Sequence, residues 1–132
     1  MGNSSSGSGT YLLSAGPLTV YGSEDVGASG AATFDESAGV NTVGTPSNTS
    51  QLIIGELVGG TGGVYNLGGT GSLVLNGAET IGENGPGTFD QSGGIQTVGP
   101  AGSGAYMAIG ASDTMGNYNL SGNGLVTVYG PE

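Results

Sequence analysis

The side chains able to do chemistry in this chain are carboxylates. Ten Asp and Glu stand against no Lys, Arg, His or Cys, so the formal net charge is −10 over 132 residues. Glu24, Glu79 and Glu132 share one position of a repeated pattern, which Leu52 and Met107 take in alternate repeats. Carboxylate oxygens are the ligands calcium prefers, which makes these three the candidate metal-binding residues. Each position offers one carboxylate, however, where calcium takes about six to eight oxygens, and no Gly-Gly-x-Gly-x-Asp calcium repeat occurs. The structural alternative is a corner carboxylate that accepts backbone N–H bonds. No other cofactor is implied.

Asp35-Glu36 and Asp90-Gln91 fill a second repeated position. Glycoside hydrolysis needs two carboxylates facing one another with unequal pKa values. Here the acids recur by repetition, and one partner becomes Gln, so no catalytic residue is expected and the chain reads as a non-enzyme. The missing residue types remove most other chemistry: a general-base His, a nucleophilic Cys, a Schiff-base Lys, Cys/His zinc sites and basic nucleic-acid patches. Gly59-Gly-Thr-Gly-Gly63 and Gly69-Thr-Gly71 complete no dinucleotide fingerprint and read as corners.

The elements that hold these residues follow from a long period. Tyr11-Leu-Leu-Ser-Ala-Gly-Pro-Leu-Thr-Val20 aligns without gaps on Phe34-Asp-Glu-Ser-Ala-Gly-Val-Asn-Thr-Val43, and the frame returns at Tyr65, Phe89 and Tyr118. The intervals are 23, 31, 24 and 29 residues, so short and long units alternate in a two-coil repeat of about 54 residues. Each unit also carries an aliphatic residue followed by Gly: Val26-Gly27, Ile54-Gly55, Ile81-Gly82 and Ile109-Gly110. Within a unit, three runs of three to five residues alternate in polarity and end at Gly, Asn or Pro, the mark of short strands and turns. With 31 Gly and 5 Pro, such a chain is a floppy linker unless its units stack. Units too small to bury a core alone do so by stacking as a solenoid.

The expected fold is all-β: a parallel β-helix of about five coils, three short strands each, with uncapped ends. Residues 1-132 form one domain, with 1-9 a Gly/Ser-rich partial coil and coils starting near 10, 33, 64, 88 and 117. Equivalent residues then stack about 4.8 Å apart, so each must tolerate its own copy above and below. Val20, Val43, Leu75, Val98 and Val128 are expected to point inward, as are Val26, Ile54, Ile81 and Ile109. Thr19, Thr42, Thr97 and Thr127 then face out. Tyr11, Phe34, Tyr65, Phe89 and Tyr118 form an aromatic column.

Gly87-Thr-Phe-Asp-Gln-Ser-Gly-Gly94 and Tyr118-Asn-Leu-Ser-Gly122 resemble the Gly-rich β-strand repeats of large bacterial PEP-CTERM or autotransporter-like surface proteins, a likeness that spans nearly the whole chain. The resemblance implies a right-handed β-helix, extracellular or at the cell surface, serving as a stalk or matrix element without catalytic residues.

Met1-Gly2 falls where the aliphatic-Gly pair belongs, and Tyr129-Gly-Pro-Glu132 matches Tyr21-Gly-Ser-Glu24, so the chain is expected to begin and stop inside a coil. Open strand edges template further pairing, and the expected partner is the chain itself, in a head-to-tail homopolymer. Met1-Gly-Asn-Ser-Ser-Ser-Gly-Ser carries neither the basic start nor the apolar run of a secretion signal. Leu52-Ile53-Ile54, the longest apolar cluster, is too short to enter a membrane as a span. The expected function is a structural extracellular fibre or cell-surface stalk. The alternative is a fragment of a larger adhesin whose Thr and Tyr ladders bind polysaccharide or another cell surface. An ice-binding lattice is ruled out by the position two after each Thr, which is Tyr21, Gly44, Gly99 or Tyr129.

Overall fold

A computed structural model of the chain describes residues 1–130, and among them every regular element is a strand. The chain runs through β1 (Ser8–Leu13), β2 (Pro17–Val20) and β3 (Glu24–Val26), then β4 (Ala31–Glu36), β5 (Val40–Val43) and β6 (Leu52–Ile54). It continues through β7 (Gly63–Leu67), β8 (Ser72–Leu75) and β9 (Glu79–Ile81), then β10 (Gly87–Gln91), β11 (Ile95–Val98) and β12 (Met107–Ile109), and closes with β13 (Gly116–Leu120) and β14 (Leu125–Val128). Three sheets result, ordered β1-β4-β7-β10-β13, β2-β5-β8-β11-β14 and β3-β6-β9-β12. Every pairing within them is parallel. The chain visits the sheets in rotation, an all-β arrangement consistent with a β-solenoid.

Register is set by period-two alternation, which sends one face of each strand into the space shared by the three sheets. The first sheet contributes the column Tyr11, Phe34, Tyr65, Phe89, Tyr118. The second contributes Val20, Val43, Leu75, Val98, Val128, and the third Val26, Ile54, Ile81, Ile109. The middle members are fully buried, whereas Tyr11 is 39 % and Ile109 49 % exposed, and Val20 and Val128 are half-buried. Tyr118 is half-buried as well. All five face the core, but the outermost level has a neighbour on one side only.

The strands of the first sheet begin at Ser8, Ala31, Gly63, Gly87 and Gly116, one or two residues before the coil starts read from the sequence. The reason lies in the corner. A Cβ on Gly63 would stand 2.0 Å from the Val26 carbonyl oxygen, and Gly87 and Gly116 meet the carbonyls of Ile54 and Ile81 as closely. At these three corners only glycine fits, whereas Ala32 takes the same column position at the second level. The Gly after each aliphatic landmark has positive φ, from Gly27 at 78° to Gly110 at 74°, and Gly2 joins them at 63°. Met1 extends the same column: its carbonyl accepts from Gly27 N at 3.1 Å, as that of Val26 accepts from Gly55 N and that of Ile54 from Gly82 N.

Corners differ in length. Between the second and third sheets they are 21–23, 44–51, 76–78 and 99–106, so long and short alternate. This alternation, together with the unequal corners 27–30, 55–62, 82–86 and 110–115 between the third and first sheets, produces the uneven spacing of the aromatic residues.

Candidate functional site

The stack builds its sites from columns of like residues. The five aromatic rings are stacked with centroids 4.6 to 5.1 Å apart, and the three pairs from Phe34 to Tyr118 lie within 6° of coplanar, whereas Tyr11 is tilted 24° from Phe34. Offset-stacked rings attract by about 0.5–1.5 kcal/mol per pair beyond the area they bury. The strand spacing thus positions the rings, and the rings reinforce the spacing.

Tyr and Phe alternate in this column, and the tyrosine hydroxyls must find partners inside the core. Tyr65 Oη donates to Glu36 Oε2 at 2.6 Å and accepts from Asn41 Nδ2 at 3.1 Å. Asn41 Nδ2 also donates to Glu24 Oε2 at 2.9 Å, and Glu36 Oε1 accepts from the Ser72 amide at 2.8 Å. A second cluster repeats the design. Gln96 Nε2 donates to Glu79 Oε2 at 2.8 Å, and Tyr118 Oη lies 2.6 Å from Gln96 Oε1 and 2.5 Å from Gln91 Oε1. Gln91 replaces Glu36, and Gln96 replaces Asn41. Each cluster ties three successive levels together through side chains, independently of the backbone ladders.

Glu24, Glu36 and Glu79 are buried, with Glu79 wholly enclosed, and the chain offers no cationic side chain to answer them. Burial pushes Glu79 up to about 8 despite the bond from Gln96. Burial pushes Glu24 up to about 7, opposed by the Asn41 bond and reinforced by the nearby charges of Glu36 and Asp25. Glu36 is also raised by burial, which the Tyr65 and Ser72 bonds resist. Burial raises Tyr65 and Tyr118 as well, keeping both phenols protonated. Glu79 Oε1 and Asn41 Oδ1 are enclosed without a hydrogen-bond partner. A neutral carboxyl bears such isolation at far lower cost than a carboxylate.

Of the calcium candidates, Glu24 and Glu79 fall within the described residues. Both project into the core, with Leu52 between them in the column, and accept from side-chain amides rather than from the corner N–H groups expected as the alternative. A buried, separated pair of carboxyls presents no open oxygen cage. Among the described residues no group of three or more Asp and Glu is placed to hold a metal ion. Glu132 lies outside the described residues.

Asp35 and Glu36 are strand neighbours and therefore point to opposite faces. Asp35 sits on the outer face, where its Oδ1 accepts from Asn66 Nδ2 at 2.5 Å, and Asp90 accepts from Asn119 Nδ2 at 2.6 Å one repeat on. These are outward polar ladders, and the two carboxyl groups of the pair do not face one another. The threonines Thr19, Thr42, Thr97 and Thr127 lie on the outer face of the second sheet, in one column with Val74.

The sequence reading missed the inward-pointing Glu36, Asn41, Gln91 and Gln96. The signal was present. Asn41 and Gln96 stand two residues before Val43 and Val98, and Glu36 and Gln91 two after Phe34 and Phe89, so alternation sends them inward with those core residues.

Comparison with known proteins adds no relative: no family model, no curated protein and no solved structure matches the chain.

Proposed function

We propose that the chain is a structural β-solenoid of five coils on a two-coil repeat of about 54 residues, acting without catalysis as a segment of an extracellular fibre or cell-surface stalk. The observation that carries this reading is the apolar end of the stack. Met107, Ile109, Tyr118, Leu120, Val126 and Val128 line an open hollow of about 440 Å³ on the last level. The first level presents matching residue types in the same columns: Tyr11 for Tyr118, Leu13 for Leu120, Leu18 for Val126 and Val20 for Val128. One end of a copy therefore suits the opposite end of another, and a head-to-tail contact that does not close grows into a filament.

The alternating Tyr and Phe levels support the two-coil repeat, since each buried polar cluster needs a Tyr level and the polar level beside it. The place outside the cell rests on the repeat resemblance, and it agrees with a chain that offers trypsin-type proteases no Lys or Arg.

Negative-stain electron microscopy of the purified chain over a concentration series tests end-on stacking. The expected result is filaments much longer than the ~24 Å of five levels at about 4.8 Å each, lost in Leu120→Asp. Discrete particles at every concentration would overturn end-on stacking and leave the adhesin-segment reading in its place.

A further inference from the structure

The long corner 44–51 and the long corner 99–106 flank the short corner 76–78, and the difference in length opens a cleft in the side of the stack. Backbone bonds fix the levels: Leu52 N donates to the Ala78 carbonyl at 3.1 Å, and Glu79 N to that of Tyr106 at 2.9 Å. Gln51, Ala78 and Tyr106 therefore lie one above another, the small middle residue leaving a slot between two large ones. Two strand spacings set the backbones of the two flanking levels about 9.6 Å apart, and the thickness of the side chains narrows the slot between them. The cleft measures about 240 Å³, and Thr49, Ser50, Asn76 and Ser103 supply the rest of its polar side chains.

The chemistry of the lining is uniform. It holds hydroxyls, carboxamides and one phenol ring 43 % exposed, and no ionisable side chain but that phenol. At its floor Asn76 is 92 % buried and anchored, its Nδ2 donating to the Gly44 carbonyl at 3.1 Å and the Val43 carbonyl at 3.5 Å. Both of these bonds use Nδ2, which leaves Asn76 Oδ1 as the acceptor for an occupant. A fixed carboxamide acceptor, adaptable hydroxyls and an aromatic face are what a polyhydroxylated ring requires. Anionic ligands are disfavoured by the net charge of −10 and the absence of Lys, Arg and His, and a metal cation finds no carboxylate in the cleft.

We propose that this cleft binds a neutral carbohydrate, with Tyr106 as the stacking platform and Asn76 as the fixed acceptor. The site is distinct from the outward Thr and Tyr ladders and does not depend on stacking of copies.

Isothermal titration of the full chain with cellohexaose, maltohexaose and N-acetylchitohexaose tests it, with hexagalacturonate as the anionic comparison. The expected result is saturable binding of at least one neutral oligomer, weakened about tenfold or more by Tyr106→Ala and by Gln51→Ala. Both variants alter exposed side chains, and unchanged circular dichroism and melting would show the fold intact. The proposal is overturned if none of the neutral oligomers binds, if hexagalacturonate binds more tightly, or if Tyr106→Ala and Gln51→Ala leave the binding unchanged; loss in Thr97→Ala instead would move the site to the outward Thr ladder.

Discussion

Glu79 is enclosed in the core of a chain that has no cationic side chain, so its proton becomes part of the fold. Its pKa is pushed up to about 8 and that of Glu24 to about 7, from an ordinary 4.5. A folded pKa above the unfolded one means that the folded state keeps protons the unfolded chain would release. The stabilisation is full below about pH 4.5 and is lost as pH rises through 7 to 8. Melting temperature is therefore expected to be highest in acid and to fall across neutrality. Glu79→Gln should flatten that fall, whereas the exposed Asp113→Asn should not; identical profiles for the two would refute the role of the buried acid. The phenol of Tyr65 supplies a second test. Tyr65→Phe keeps the ring stack but removes the partner of Glu36 and Asn41, at an expected cost of about 1–3 kcal/mol, read as a lower denaturant midpoint with unchanged β-rich circular dichroism.

Strands of three to six residues are specified here by position in a stack more than by local propensity. Val98 is fully buried and Thr97, beside it, faces out. Val98→Asp is expected to abolish the β-rich circular dichroism by burying an unpaired charge, while Thr97→Ser should change stability by no more than about 0.5 kcal/mol. Equal tolerance would refute the register. Corners are tested by Gly63→Ala, whose methyl meets the Val26 carbonyl, against Gly22→Ala, whose methyl meets nothing within 4 Å; only the first should fail to fold. The three-sheet plan was legible in the sequence because Val43, Val98, Phe34 and Phe89 recur with fixed spacing to Gly. The inward Glu36, Asn41, Gln91 and Gln96 were not read, because polarity argued for the surface while alternation argued for the core. Which of the two wins depends on whether a partner lies one level away, and Tyr65 and Tyr118 supply that partner across 29 and 27 residues of sequence. The cleft beside Asn76 and Tyr106 was equally hidden, since it exists only where corners of unequal length come to lie side by side.

At the scale of the whole molecule, the columns make the stack nearly one-dimensional, each level touching those above and below. The end levels are the least buried, with Ile109 and Leu120 about half exposed, so loss of structure should begin there and progress inward. Hydrogen exchange should report this as protection rising from β1 and β13 toward β7, and uniform protection would argue instead for a single cooperative unit. The winding that builds the core also folds a great deal of chain into little height. Successive levels rise only about 4.8 Å along the axis, yet the 132 residues drawn out at about 3.3–3.6 Å per residue span roughly 450 Å. Where such coils belong to one continuous chain they would hold a concealed slack: under tension the stack would lengthen severalfold by unspooling turns before any covalent bond was loaded, whereas copies joined only end to end would part first at the contact between them.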